Sequence, residues 1–180
     1  MRLSKKRTVF AVIFGVLTVA TLCFIWGNSL LSKEASASGS GEVYDKATSI
    51  IARIFGEGFY NFLTSFIDKA VFRKIIHFLE FSALGAEICA LFITVFTRAK
   101  FTLKNFCFIC LFGLFSGAVD ELLQIISDRG PRIKDVLLDF CGYLFAAAIF
   151  FIVCAAKNRK DKKAAKLEES ETLKPPQTPS

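Results

Sequence analysis

Four apolar windows, Thr8–Leu31, Ile75–Phe96, Phe106–Ile126 and Val136–Ala156, constrain this chain more than anything else in it. Each is close to the ~20 residues a helix needs to cross a ~30 Å hydrocarbon core. A backbone in lipid must satisfy its own hydrogen bonds, so windows of this length become helices. Overall the chain is 53% hydrophobic, above the about 45–50% of ordinary globular domains, and the excess sits in these windows. The expectation is an all-α integral membrane bundle of four transmembrane helices. Too little apolar sequence remains elsewhere for a soluble core.

The net charge of +7 would suit a nucleic-acid binder, but its placement argues for a membrane. Arg2, Lys5, Lys6 and Arg7 precede the first window, and Arg98, Lys100 and Lys104 lie between the second and third. Lys157, Arg159, Lys160, Lys162, Lys163 and Lys166 follow the fourth. In a four-pass topology these clusters share one side, and such enrichment marks the cytoplasmic side. The reading is a multi-pass protein of the bacterial cell membrane with both termini inside, lipids as partners and no nucleic acid. Residues 1–31 form a basic start and first span. An extracytoplasmic linker and amphipathic segment occupies 32–73, a three-helix core 74–156, and a charged cytoplasmic tail, read as disordered, 157–180.

Two alternatives bear on the ends of that division. "ASA" at Ala35–Ala37 resembles a signal-peptidase site, yet the preceding apolar run is longer than a signal peptide's. The first window therefore reads as an uncleaved anchor. Within 32–73, "SKEASASGSGE" reads as a small polar linker. The apolar residues of 43–72 (Ile50, Ile51, Ile54, Phe55, Phe59, Phe62 and onward) recur at helical spacing, with Gly56 and Gly58 placed to bend or split the run. One or two amphipathic interfacial helices follow from that pattern.

All six cysteines (23, 89, 107, 110, 141 and 154) fall in the apolar windows. That is not a disulfide framework. Cys107 and Cys110 form a CxxC, but buried cysteine as a small apolar residue is the commoner case. With scattered thiols and one histidine, no metal and no other cofactor is expected.

Ionisable residues cluster where the last three windows share one side. Arg73, His77 and Glu80 fall on one face of the second, with Glu87 deeper. Asp120, Glu121 and Gln124 end the third. Asp120 and Glu121 point about 100° apart on a helix, with Glu121 taken as the better placed beside Gln124. Arg129 lies in the turn, and Asp135 and Asp139 open the fourth window. Gly117 and Gly142 would admit close helix approach beside them. Acids facing a membrane bundle are functional candidates, because charge in the bilayer costs roughly 2.5–3.5 kcal/mol on insertion scales. The bland reading is interfacial pairing and snorkelling. The sharper one is an outward-facing polar pocket binding a lipid head group through Arg73, His77, Glu80, Asp120, Glu121, Gln124, Arg129, Asp135 and Asp139. An enzyme acting on a lipid-linked substrate, with Glu121, His77 or Glu80 as acid or base, is the second reading. A small ion- or proton-coupled transporter is the third, and it needs polar groups continuing inward from the pocket.

Three stretches together resemble the VanZ-like family of small bacterial membrane proteins. "FIWGNSLLSKEASASGSGEV" is similar to its Asn-Ser start and Ser-rich linker. "RKIIHFLEFSALG" carries its Lys74, His77, Phe78, Glu80, Leu84 and Gly85 pattern. "DELLQIISDRGPRIKDVLLDFCG" carries Asp120, Glu121, Gln124, Arg129, Asp135, Asp139 and Gly142. Phe81 stands where the family often has Tyr, and Leu123 where many members have a second His. The resemblance implies a role at the outer leaflet, where lipid-linked wall precursors and lipophilic glycopeptides such as teicoplanin lie, and a link to lowered teicoplanin susceptibility. It does not by itself imply catalysis.

Overall fold

The computed structural model describes residues 4–96, 101–127 and 132–172. They form six helices: α1 (Lys5–Ser29), α2 (Lys33–Phe55), α3 (Glu57–Phe66), α4 (Lys69–Phe96), α5 (Leu103–Ile126) and α6 (Ile133–Thr172). No strand occurs among the described residues. Four of the helices, α1, α4, α5 and α6, are long and apolar enough to cross a membrane, and they match the four windows read from the sequence, α1 ending two residues short of its window. Much of their apolar surface is uncovered, including Val9, Phe10, Val12, Val16 and Val19 on α1 and Phe108, Leu111 and Phe115 on α5. A soluble monomer does not expose so much contiguous apolar surface, but a helix in lipid does.

The four long helices alternate in direction. The Arg7 guanidinium at the start of α1 donates to the Thr94 and Ile93 carbonyls at 3.0 and 3.3 Å, capping the end of α4 with a cation, as the helix dipole favours. At the opposite end, Ser29 of α1 meets Asp120 and Ser127, near and just past the end of α5. The α4 and α6 helices run parallel, with Phe78 beside Gly142 and Gly85 beside Tyr143. The bundle therefore has a basic end, where α1 starts and α4 finishes, and a polar end, where α1 and α5 finish and α4 and α6 start.

Glycine sets the α4–α6 contact. A methyl on Gly142 would run into the backbone carbonyl of Phe78, and one on Gly85 would lie 2.5 Å from the Tyr143 carbonyl oxygen. No larger residue fits either position without separating the helices. Gly117, expected to act likewise, is less demanding. A methyl there would stand 3.6 Å from Asp139 Cβ, an ordinary contact. The core beside this contact is Phe81, Leu84, Cys89, Tyr143 and Ala147. Toward the basic end it becomes aromatic, with Phe101 and Phe106 both packed on Phe151.

Two expectations need correction, and a third is decided. The polar linker at 32–42 is helical. Ser32 caps α2 by accepting from the Ala35 amide at 3.2 Å, with Glu34 in the first turn, and this cap carries the helix through Gly39 and Gly41. The amphipathic segment, read as one or two helices, is two, because Gly56 adopts φ 85° between them, a conformation other residues rarely take. The tail read as disordered from Lys157 continues α6 to Thr172. Its Lys, Ala, Glu and Leu content favours helix, and no glycine or proline interrupts it before Pro175; residues 173–180 lie outside the described residues. At about 1.5 Å per residue α6 is far longer than one bilayer crossing, so its charged end projects beyond the membrane.

Helices α2 and α3 sit at the polar end. The Tyr44 hydroxyl donates to the Ile67 carbonyl at 2.8 Å, and its ring meets Phe72 edge-on at 5.3 Å. Lys69 pairs with Asp45 at 2.9 Å, an exposed contact that adds little stability. Phe55, Phe59, Phe62 and Phe66 form an exposed aromatic row along the hairpin.

Candidate functional site

Four helices bring polar side chains to one place at the polar end. Asp120 of α5 is fully buried. The Ser29 hydroxyl donates to its Oδ1 at 2.6 Å, and the Gln124 amide donates to its Oδ2 at 2.8 Å. The second contact follows from i, i+4 spacing on one helix. The first is a tertiary contact across ninety-one positions of sequence. Ser127 ties the same corner by donating to the Ser29 carbonyl at 2.8 Å. Asp120 is thus held in one orientation from both sides.

His77 of α4 faces two carboxylates. Its Nδ1 lies 3.7 Å from Glu80 Oε2 and 3.9 Å from Asp139 Oδ1. Both distances exceed a hydrogen bond but lie within electrostatic contact. Asp139, on the buried face of α6, is 2% exposed. The carboxylates of Asp120, Asp135, Glu121 and Glu80 all act on it repulsively. Glu121 is turned aside from Gln124; one of its oxygens accepts the Arg132 backbone N–H, which ties the start of α6 to the end of α5. Its other oxygen is buried and has no partner among the described residues. Arg73 acts attractively on Glu80, and Arg132 on Glu121.

The structure thus gathers His77, Glu80, Asp120, Glu121, Gln124, Asp135 and Asp139, with Arg73 at the rim. Arg129 lies outside the described residues. The preference for Glu121 as the partner of Gln124 is wrong, because Asp120, one full turn away, takes that bond. Ser29 was missed as a site residue. Its signal was the Asn-Ser pair at the end of the first apolar window, but periodicity cannot reveal a tertiary partner. Ser116, one turn before Asp120 on the same buried stripe of α5, was also missed. Its hydroxyl is fully buried and has no partner among the described residues. Phe81, where the family often has Tyr, is buried in the core.

Chemically, the assembly offers one imidazole and several crowded carboxylates. One donor atom from each of His77, Asp120 and Asp139 can be chosen so that all three lie within 4.8 Å of one another. The expectation of no metal considered thiols and a lone histidine; it did not weigh this mixed donor set. Cys23, Cys107 and Cys141 are exposed, away from the cluster. Deeper in the bundle, Glu87 accepts from the Thr21 hydroxyl at 2.9 Å, separate from the cluster at the polar end.

A bundle of four membrane-crossing helices with a buried histidine–carboxylate cluster at one end defines a multi-pass membrane protein. The chain belongs to the VanZ/LLP1 family, whose description it matches over residues 10–154, a stretch that reaches into all four spans and holds every residue of the cluster. No curated protein and no solved structure matches it.

Proposed function

We propose that the polar end faces the outside of the cell and binds the head group of a lipid or lipid-linked cell-wall precursor. The observation that carries this reading is the convergence of Ser29, His77, Asp120 and Asp139 from four different helices on one buried spot. Interfacial anchoring alone does not require it. Anchoring residues snorkel outward, whereas these are turned inward. The basic residues support the orientation, since Arg7 and Lys157–Lys166 belong to the opposite end and basic ends lie in the cytoplasm. The exposed aromatic row of α3 fits an outer membrane interface beside the pocket. Occupation of the outer leaflet by such a pocket would alter how lipophilic glycopeptides such as teicoplanin reach precursors there and so lower susceptibility.

Ligand capture tests the reading. Wild type and Glu121→Gln are purified in mild detergent and their bound lipids identified by mass spectrometry. The expected result is a phosphate-bearing lipid enriched in wild type and depleted in the variant. Bulk phospholipid alone, equal in both, contradicts the pocket. Retention with enrichment in Glu121→Gln points instead to a stalled enzyme. Transport is disfavoured because the deep carboxylate, Glu87, is tied to Thr21 apart from the cluster.

A further inference from the structure

We infer that His77, Asp120 and Asp139 form a divalent-cation site, and that the cation is what lets an acidic pocket hold a phosphate. The second half rests on the head-group reading above; the first does not. The three residues come from α4, α5 and α6, and their donor atoms lie within 4.8 Å of one another. Two ligands about 2.0–2.2 Å from one ion stand at most about 4.4 Å apart. Three ligands spread evenly around one ion at that distance stand about 3.8 Å apart, so closure by up to about 1 Å completes the set.

Charge makes the case stronger than proximity does. Asp120 is fully buried and Asp139 is 2% exposed, and Glu80 and Glu121 press on Asp139 with the same sign. Buried charges are paired or coordinate metals. Arg73 and Arg132 act on Glu80 and Glu121, which leaves the Asp120–Asp139 pair as the place where positive charge is most needed. Asp120 is also prepared as a ligand. Ser29 and Gln124 each occupy one lone pair, on different oxygens, so each oxygen keeps another. Such outer hydrogen bonds orient metal ligands.

A second observation comes from polar atoms around the cluster. Among the described residues, the fully buried Ser116 hydroxyl, one turn from Asp120, and the buried second Glu121 oxygen have no hydrogen-bond partner. A hydrated ion would give such atoms a hydrogen-bond partner. Carboxylates and water suit Mg²⁺ and Mn²⁺, while thiols prefer softer ions. Mn²⁺ is therefore the probe, because it avoids the six cysteines.

The test uses the full chain in detergent, stripped with EDTA and then titrated with Mn²⁺. Bound ion is read by loss of the free-Mn²⁺ electron paramagnetic resonance signal. The expected result is one ion per wild-type chain, with binding weakened at least about tenfold, the scale of ligand-sphere losses, in both Asp120→Asn and Asp139→Asn. Glu87→Gln, outside the cluster, should bind like wild type. Gel filtration and circular dichroism confirm that the variants are folded. A folded wild type that binds no ion, or variants that bind as tightly as wild type, overturns the site. Lipid retention with and without EDTA tests the link separately. Phosphate-lipid lost on chelation supports it. Lipid retained without metal overturns the bridging role and leaves the head-group reading standing. Metal bound with no lipid captured defeats the head-group reading and leaves the cation site standing.

Discussion

The two ends of the bundle are built from different physics. At the basic end, rings do the joining: Phe106 stacks on Phe151 with centroids 4.8 Å apart, and Phe101 meets Phe92 at 5.5 Å. At the polar end, hydrogen bonds and carboxylates do it, through Ser29, Asp120 and Gln124 with His77 and Asp139 alongside. In lipid, helices gain from packing and from interhelical hydrogen bonds, not from burying apolar surface as such. The basic end uses the first of these with no unfavourable charge. The polar end uses the second and carries a group of like charges besides. A structure selected only for stability would not crowd Asp139 with four other carboxylates. Functional sites are where stability is given up.

The α4–α6 contact joins the two ends, so breaking it has the largest effect. Gly142→Leu drives a side chain into the Phe78 backbone. It should lower stability by about 3 kcal/mol, the upper end of overpacking costs, seen as a lowered or lost cooperative thermal transition and aggregation in detergent. A well-folded variant would mean the helices are farther apart than described. At the basic end, Phe151→Ala removes ring contacts to Phe101 and Phe106. The loss should be about 1–3 kcal/mol at about 0.5–1.5 per aromatic pair, with lipid capture unchanged. Altered capture there would erase the distinction between the ends.

Smaller effects are expected at the polar end. Ser29→Ala removes one interhelical hydrogen bond to Asp120, which in membranes is worth about 0.6–2 kcal/mol. Thermal unfolding should register the decrease, and ligand capture should weaken because Asp120 is no longer held. Asp139→Asn should change stability least, by less than about 1 kcal/mol and toward greater stability, since neutralising one of several buried like charges relieves repulsion. Lipid and cation binding should nonetheless fall. A strongly destabilised Asp139→Asn would mark the residue as structural.

Much of this division was legible in the sequence, and the omissions have physical reasons. The four spans follow from length and hydropathy, which are local properties. Observed helices exceed the windows mainly where polar residues continue them, as at Lys69–Lys74 and beyond Lys157. Helix propensity and the Ser32 cap decide those extensions, and hydropathy does not register them. Periodicity put His77 with Glu80 and Asp135 with Asp139 on shared faces. It could not decide between Asp120 and Glu121, because that choice depends on which stripe of α5 faces α1 and α6. Ser29 belongs to the site only because α1 ends level with Asp120, and no local pattern encodes the relative height of two helices.

The central claim is that the polar end opens outside the cell, and sidedness tests it most directly. Ser65→Cys places a thiol on exposed α3 at the polar end, and Lys160→Cys places one on the projecting part of α6. Intact cells expressing each variant are treated with a membrane-impermeant maleimide, with the wild type as the control for the native thiols. The account predicts that Ser65→Cys is labelled in intact cells and Lys160→Cys only after permeabilisation. The reverse pattern would turn the cluster toward the cytoplasm and contradict a site for outer-leaflet head groups.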